Sequence, residues 1–386
     1  LKKVHFGSTN STIEKKSFSR LYWFPVKSEE NMVRYALVGY GKVAHVHAKA
    51  IKKAEESTLV AVWGRNKEKA QAFAAEWNIT AFTDMQQMIK EEQVDAVIIT
   101  TPHPLHKEHA ITALQAGAHV LVEKPMALTV SECDAMIEVA KQEKKRLAVI
   151  SQRRWFPASQ RIRKAIDEGK LGTPMIGQVT MLGWRDEEYY NSDPWRGKWD
   201  SEGGGVLINQ APHQLDLLCW YLGPVKEVYA QWENVNHPYI EVEDTAVGTV
   251  RFESGAIASI LVSNSQKPGI HAKVHVHGSS AASVGVQTDG GAMFIAGRSG
   301  IAEPPVTDLW TIEGEQQNIG VWKTEDTNLF NSIDPVAYFF TLQIENFTQA
   351  LLQKGPLISS GEEGRETVKL IEGMYRSQRE GKPVRY

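Results

Sequence analysis

The chain has 386 residues, enough for two domains with buried cores, and its 42% apolar and 23% charged residues are those of an ordinary globular protein. A formal net charge of -3 argues against nucleic acid as a partner, and two cysteines, Cys133 and Cys219, are too few for a disulfide framework. No apolar run reaches the length of a membrane span, so a soluble, cytoplasmic protein with no membrane partner is expected.

Residues 1–31 differ from the rest. Polar clusters surround one short apolar patch, Leu21 to Val26, without the features of a secretory signal. They read as an extension, native or artificial, with a packing arm through Trp23 and Phe24 as the alternative. From Val33 the rhythm becomes strand, turn, helix. Strands are predicted over Val33–Val38, Leu59–Trp63, Thr80–Phe82, Val94–Thr100, His119–Val122 and Leu147–Ile150. Helices are predicted after the first strand to about Ala54, over 66–77, from Leu105 to Ala116, and from a capping-box pair, Thr129 and Glu132, to Gln142. This alternation means right-handed crossovers and a doubly wound parallel sheet, a dinucleotide-binding Rossmann domain over 32–152.

After Arg153 the pattern changes. Helices are predicted near 158–168, 206–222, 336–353 and 363–380, with strands Gly177–Leu182, Val225–Trp232, Thr245–Phe252, Ala256–Val262 and Ala272–Val276 between them. The turn Glu253–Ala256 joins two of these as a hairpin. Residues 153–386 are thus expected to form an α+β domain with a large, mostly antiparallel open sheet.

Gly39-Tyr40-Gly41-Lys42-Val43-Ala44 matches G-x-G-x-x-G/A between a strand and a helix. Gly39 permits the turn, Gly41 admits the pyrophosphate, and Ala44 allows close helix–strand packing. The second strand ends in Val62-Trp63-Gly64-Arg65-Asn66, with no carboxylate to accept from a ribose 2′-OH. Arg65 can instead pair with a 2′-phosphate, which favours NADP over NAD. Thr100-Thr101-Pro102 and Glu123-Lys124-Pro125 end the fourth and fifth strands, where ligands bind in such sheets. In the second domain Gly203-Gly204-Gly205 leads into Asn209, His213 and Asp216, which helical spacing places on one face. Asp216 is then positioned to orient the imidazole, while Pro212 either kinks the helix or marks its first turn. His103, His106 and His109, and likewise His271, His275 and His277, lack carboxylates at matching spacing, so no metal site is expected.

The combination of GYGKVA, TTP to His106, VEKP and the run from Gly203 to Asp216 resembles the Gfo/Idh/MocA family of sugar and inositol dehydrogenases, over residues 33 to about 384. The resemblance implies a nicotinamide held by the N-terminal domain, with Thr100, Thr101, Pro102, His106, Glu123 and Lys124 on the cofactor side. It implies Lys124 and His213 flanking a carbinol of a small polyhydroxy substrate, a sugar or cyclitol. Many members carry Asp where this chain has Asn209, whose role is therefore read as orienting. Arg153 and Arg154 match the segment entering the substrate cleft, and Trp195 and Arg196 are expected to line it. The resemblance also points to a homodimer or homotetramer packed through the C-terminal sheet. The leading expectation is an NAD(P)-dependent dehydrogenase in which His213 exchanges the hydroxyl proton and Lys124 holds the same oxygen. The rivals are a non-catalytic dinucleotide-binding regulator and an enzyme that cleaves glycosides through transient nicotinamide redox.

Overall fold

The computed structural model describes residues 32–270, 272–288 and 303–386; the 1–31 segment and His271 lie outside them. Strands β1 (Val33–Val38), β2 (Ser57–Trp63), β3 (Thr80–Phe82), β4 (Ala96–Ile99), β5 (His119–Val122) and β6 (Leu147–Val149) form a parallel sheet ordered β3-β2-β1-β4-β5-β6. Its strands read as continuous apolar runs because both faces are covered. Tyr35 and Leu37 join Ile98 and Leu121 in one core, whereas Ala36 and Val38 join Val97, Ile99 and Val122 in the other. Helices α1 (Lys42–Lys53), α2 (Lys67–Trp77), α3 (Met85–Glu91), α4 (His106–Gln115) and α5 (Val130–Gln142) connect the strands. Helix α3, absent from the sequence expectation, is capped by Asp84, whose Oδ1 accepts the Gln87 N–H at 2.9 Å. Strand order reverses between β1 and β4, which opens a crevice at their carboxyl ends.

The second half begins with α6 (Pro157–Asp167), β7 (Pro174–Leu182) and the short helices α7 (Glu187–Tyr190), α8 (Trp199–Glu202) and α9 (Val206–Asn209). Next come α10 (Pro212–Leu222), β8 (Val225–Glu233), β9 (Thr245–Phe252), β10 (Ile257–Ser263), β11 (Ala272–Gly278), β12 (Ser283–Thr288) and β13 (Val306–Trp310). Helices α11 (Asn318–Ser332), α12 (Tyr338–Leu351) and α13 (Gly361–Glu380), then β14 (Val384–Arg385), complete the described chain. The strands form a second sheet, ordered β13-β12-β11-β7-β10-β9-β8-β14, antiparallel except where β7 runs parallel to β10. The hairpin expected at Glu253–Ala256 joins β9 to β10, closed by Phe252 N–H on the Ala256 carbonyl at 2.9 Å.

Helices α7, α8 and α11 and strands β12, β13 and β14 answer to no predicted element, and other details depart from the sequence reading as well. The single helix expected over 206–222 is two, α9 and α10, because Pro212 has no N–H to continue the ladder and takes the first position of α10 instead. Thr129 caps α5, but the Glu132 carboxylate accepts from Leu128 N rather than completing the box. The two-way capping box lies at Ser360 and Glu363, the start of α13. Helix α12 brings Phe340, Ile344 and Phe347 into the core around Tyr35 and Leu37, so the chain's last third returns to brace the first sheet.

Candidate functional site

The carboxyl ends of the first sheet and the α7–α10 segment of the second half enclose a cleft of about 460 Å³. Every site residue expected from the sequence lines it except Ala44, Asn66 and Arg154. Ala44, in the first turn of α1, is buried in the core. Asn66 is occupied as the cap of α2, its Oδ1 accepting the Lys69 N–H at 2.8 Å. Arg154 turns away from the cleft. Its guanidinium is 1% exposed, bidentate to Asp216 at 2.8 and 2.9 Å, and bonded to Glu363 at 2.7 Å. Asp216 is consequently committed to Arg154 and does not orient His213, as the sequence reading had it.

At the cofactor end the fit is made by backbone. Gly39 holds a φ of 108°, and a Cβ there would stand 2.9 Å from Thr100 Oγ1. A Cβ on Gly41 would meet no protein atom within 4 Å, in the space before the α1 N-terminus, which has no side-chain cap. Open N–H groups and a dipole facing that space suit a pyrophosphate, so these residues fit a dinucleotide. Tyr40 lies over Gly64, where an added Cβ would come within 2.1 Å of its ring. Beside it, exposed Arg65 lines the mouth. His106 ties the two strand-end turns together, its ring nitrogens 2.8 Å from the carbonyls of Thr101 and of Pro125.

Lys124 stands at the junction, followed by a cis bond to Pro125. Buried Glu123 receives the Lys124 backbone N–H at 3.0 Å and His47 Nε2 at 2.8 Å. The Lys124 ammonium donates to the Asn209 carbonyl at 2.8 Å. Burial pulls this amine down to about 8, against the opposing pull of the Glu123 carboxylate. Opposite lies His213, whose imidazole has no hydrogen-bond partner among the described residues. Burial holds it well below the usual histidine range, and the Arg153 and Lys124 charges push the same way.

The glycine run places α9 and hence Asn209. A Cβ on Gly205 would fall 1.8 Å from the Glu243 carbonyl oxygen, so only glycine fits. The Glu243 carboxylate accepts the N–H groups of Gly205 and Leu207, each at 2.9 Å, and the Tyr375 hydroxyl at 2.8 Å. Burial lifts its carboxyl to about 7.

Sequence reasoning missed Glu202 and Tyr189. Glu202, 1% exposed, accepts the Gly197 N–H at 2.6 Å and the Asn209 side-chain amide. Burial lifts it too, to about 7. Its place directly before the glycine run was the available signal. His103, read only as a non-ligand, lines the cleft with Nδ1 3.1 Å from the Glu202 carbonyl and its ring against Trp195. Arg196 stacks on Trp195 and Tyr189 at 4.3 and 4.4 Å, and Arg153 donates to Thr288 Oγ1 at 2.8 Å.

Comparison with known proteins agrees with this fold. Residues 33–151 match the oxidoreductase family, NAD-binding Rossmann fold model, and residues 159–284 match the GFO/IDH/MocA C-terminal domain. An oxidoreductase of Formosa agariphila is 31% identical over 52% of this chain, which spans 63% of that protein's length. The 1,5-anhydro-D-fructose reductase of Ensifer adhaerens is 28% identical over 74% of this chain and 82% of its own. The crystal structure of the WlbA dehydrogenase from Bordetella pertussis, in complex with NADH and UDP-GlcNAcA, superposes with a TM-score of 0.81 at 30% identity. That match covers 92% of this chain and 98% of the other.

Proposed function

The chain belongs to the GFO/IDH/MocA oxidoreductase family, and on that premise we propose that it catalyses hydride transfer between a nicotinamide cofactor and a carbinol or carbonyl carbon of a sugar or cyclitol. The observation that carries this reading is the meeting of an amine, Lys124, and a neutral imidazole, His213, in one cleft with an open dinucleotide cradle. Bound nicotinamide supplies the carbon that accepts or releases hydride. Lys124, mostly protonated at neutral pH and steadied by the Asn209 carbonyl, donates to the substrate oxygen and polarises it. His213, uncharged, takes the hydroxyl proton in oxidation and returns it in reduction. Asn209 serves through its main chain and orients rather than relays. Arg153, Trp195 and Arg196 shape the polar wall that meets the remaining hydroxyls.

The sugar named for the Ensifer reductase and the ligand named for the Bordetella structure support a sugar-like substrate. The proposed cofactor is NADP, supported by Arg65 and by the missing carboxylate after β2. NAD is the alternative, supported by the NADH of the Bordetella structure. The outward side chains of the second sheet include exposed Ile176, Tyr229, Val247, Ile257 and Leu261, an apolar face suited to a second copy of the chain. A homodimer or dimer of dimers follows; a constant 43.1 kDa in light scattering across concentrations contradicts it.

The test is a panel of myo-inositol, scyllo-inositol, methyl glucosides and UDP-GlcNAcA with each cofactor, following absorbance of the reduced form. Net reduction is expected with at least one polyol. Product without net reduction points to transient-redox glycoside cleavage, and silence across the panel points to a regulator; either overturns the proposal.

A further inference from the structure

His47 does not line the cleft, yet it touches the group behind Lys124. It stands in the second turn of α1, fully buried, with the Phe340 ring of α12 edge-on at 5.0 Å. Its Nδ1 has no partner among the described residues, and its Nε2 lies 2.8 Å from Glu123 Oε1. The ring proton therefore sits on Nε2, where the carboxylate accepts it. Glu123 Oε2 accepts the Lys124 backbone N–H at 3.0 Å, and these two bonds are all that the described residues give the carboxylate. A buried carboxylate left short of donors takes up a proton instead. Burial works to lift the Glu123 carboxyl; the His47 hydrogen bond is foremost among the groups that hold it below the usual carboxylate range.

We propose that His47 is a positioning residue for Lys124: from inside α1 it fixes the Glu123 carboxylate behind the ammonium that meets the substrate oxygen. This rests on the dehydrogenase reading above and adds a residue to it. Helix α1 opens on the pyrophosphate cradle and carries His47 in its next turn, so one rigid element holds both the cofactor and the charge behind Lys124. Arg153 and Arg196 face Lys124 with like charge, and Glu123 and Glu202 with opposite charge. His103, His106 and His213, around the same amine, are each held low by burial. With Glu123 neutralised, two guanidiniums face a single carboxylate, and the amine gives up its proton more readily.

The experiment follows the NMR titration of Lys124 in chain carrying isotopically labelled lysine, its signal being the one lost in Lys124→Met. The pH profile of kcat/KM on the best polyol of the panel is measured beside it. His47→Phe keeps a ring against Phe340 and removes the N–H. It is expected to move the Lys124 titration and the alkaline limb of kcat/KM about one pH unit toward acid, with NADH affinity within about threefold. His47→Gln carries an N–H at the same number of bonds from Cβ and should bring both back to within about a third of a unit. Glu123→Gln, with His47 intact, should show the same displacement as His47→Phe. A Lys124 titration unmoved in either variant overturns the inference, and Glu123→Gln decides it where His47→Phe does not fold. So does a displacement that His47→Gln fails to reverse, the mark of packing alone. Absence of turnover by the unsubstituted chain overturns the proposed function instead, while the Lys124 titration still decides this inference.

Discussion

The two ends of the cleft are built by different means. The cofactor end is backbone: one hexapeptide, Gly39 to Ala44, bends at a positive φ and leaves helix N–H groups facing empty space. The substrate end is side chains tied to side chains between the short helices α7, α8 and α9, with Glu202, Asn209, Tyr189 and Arg196 each bonded to another. A backbone cradle suits any dinucleotide, because every residue has an N–H to offer. A side-chain network suits one pattern of hydroxyls, and damage to it spreads.

Gly205 and Gly41 expose the contrast most sharply. Gly205→Ala drives a Cβ into the Glu243 carbonyl and is expected to abolish folded protein, seen as loss of the cooperative thermal transition. Gly41→Ala meets no protein atom, so it should leave Tm nearly unchanged while weakening reduced-cofactor binding at least about tenfold in a fluorescence titration.

Neighbouring arginines make the next comparison. Arg154→Ala strands the buried Asp216 carboxylate, leaving half-exposed Glu363 to water, and should cost roughly 3–5 kcal/mol in denaturant unfolding. Arg153→Ala, on the cleft side, should cost under about 1 kcal/mol and raise substrate KM instead. Equal destabilisation by both would break the division between wall and frame.

These pairs also show what the sequence could carry. The cofactor end was legible because its determinants are contiguous and sit at a strand–helix junction. Arg153 and Arg154 were indistinguishable as a string, since the 3-10 turn Gln152–Trp155 sends successive side chains to opposite sides. Asp216 was placed correctly on the helix bearing His213, but its partner lies 62 residues earlier in the chain and no spacing rule finds it. Tyr189 was invisible because burial and partners, not residue type, give it its chemistry, and Glu202 offered only its place before the glycine run. The fold was read more fully than the site, because apolar alternation is local and hydrogen-bond closure is not.

Smaller effects sharpen the cofactor end. Arg65→Ala should weaken NADPH about ten- to a hundredfold and spare NADH, the size of one charge-assisted hydrogen bond. Equal loss for both cofactors would instead place Arg65 on the adenine. Gly64→Asp shifts preference toward NAD only if the Tyr40 ring moves aside. For pH, the working form of Lys124 is protonated and its amine is pulled to about 8. The kcat/KM for oxidation should therefore fall about tenfold per unit above pH 8. No acid limb is expected near the ordinary histidine range, because His213 stays neutral there. A profile that rises through 8 would make the neutral amine the base.

The most direct measurement is single-turnover hydride transfer by Lys124→Met and by His213→Ala, each with cofactor saturating and with its affinity titrated separately. The account predicts at least about a hundredfold loss of rate in both, with dinucleotide affinity kept within about threefold. Near-normal transfer in both variants would contradict it.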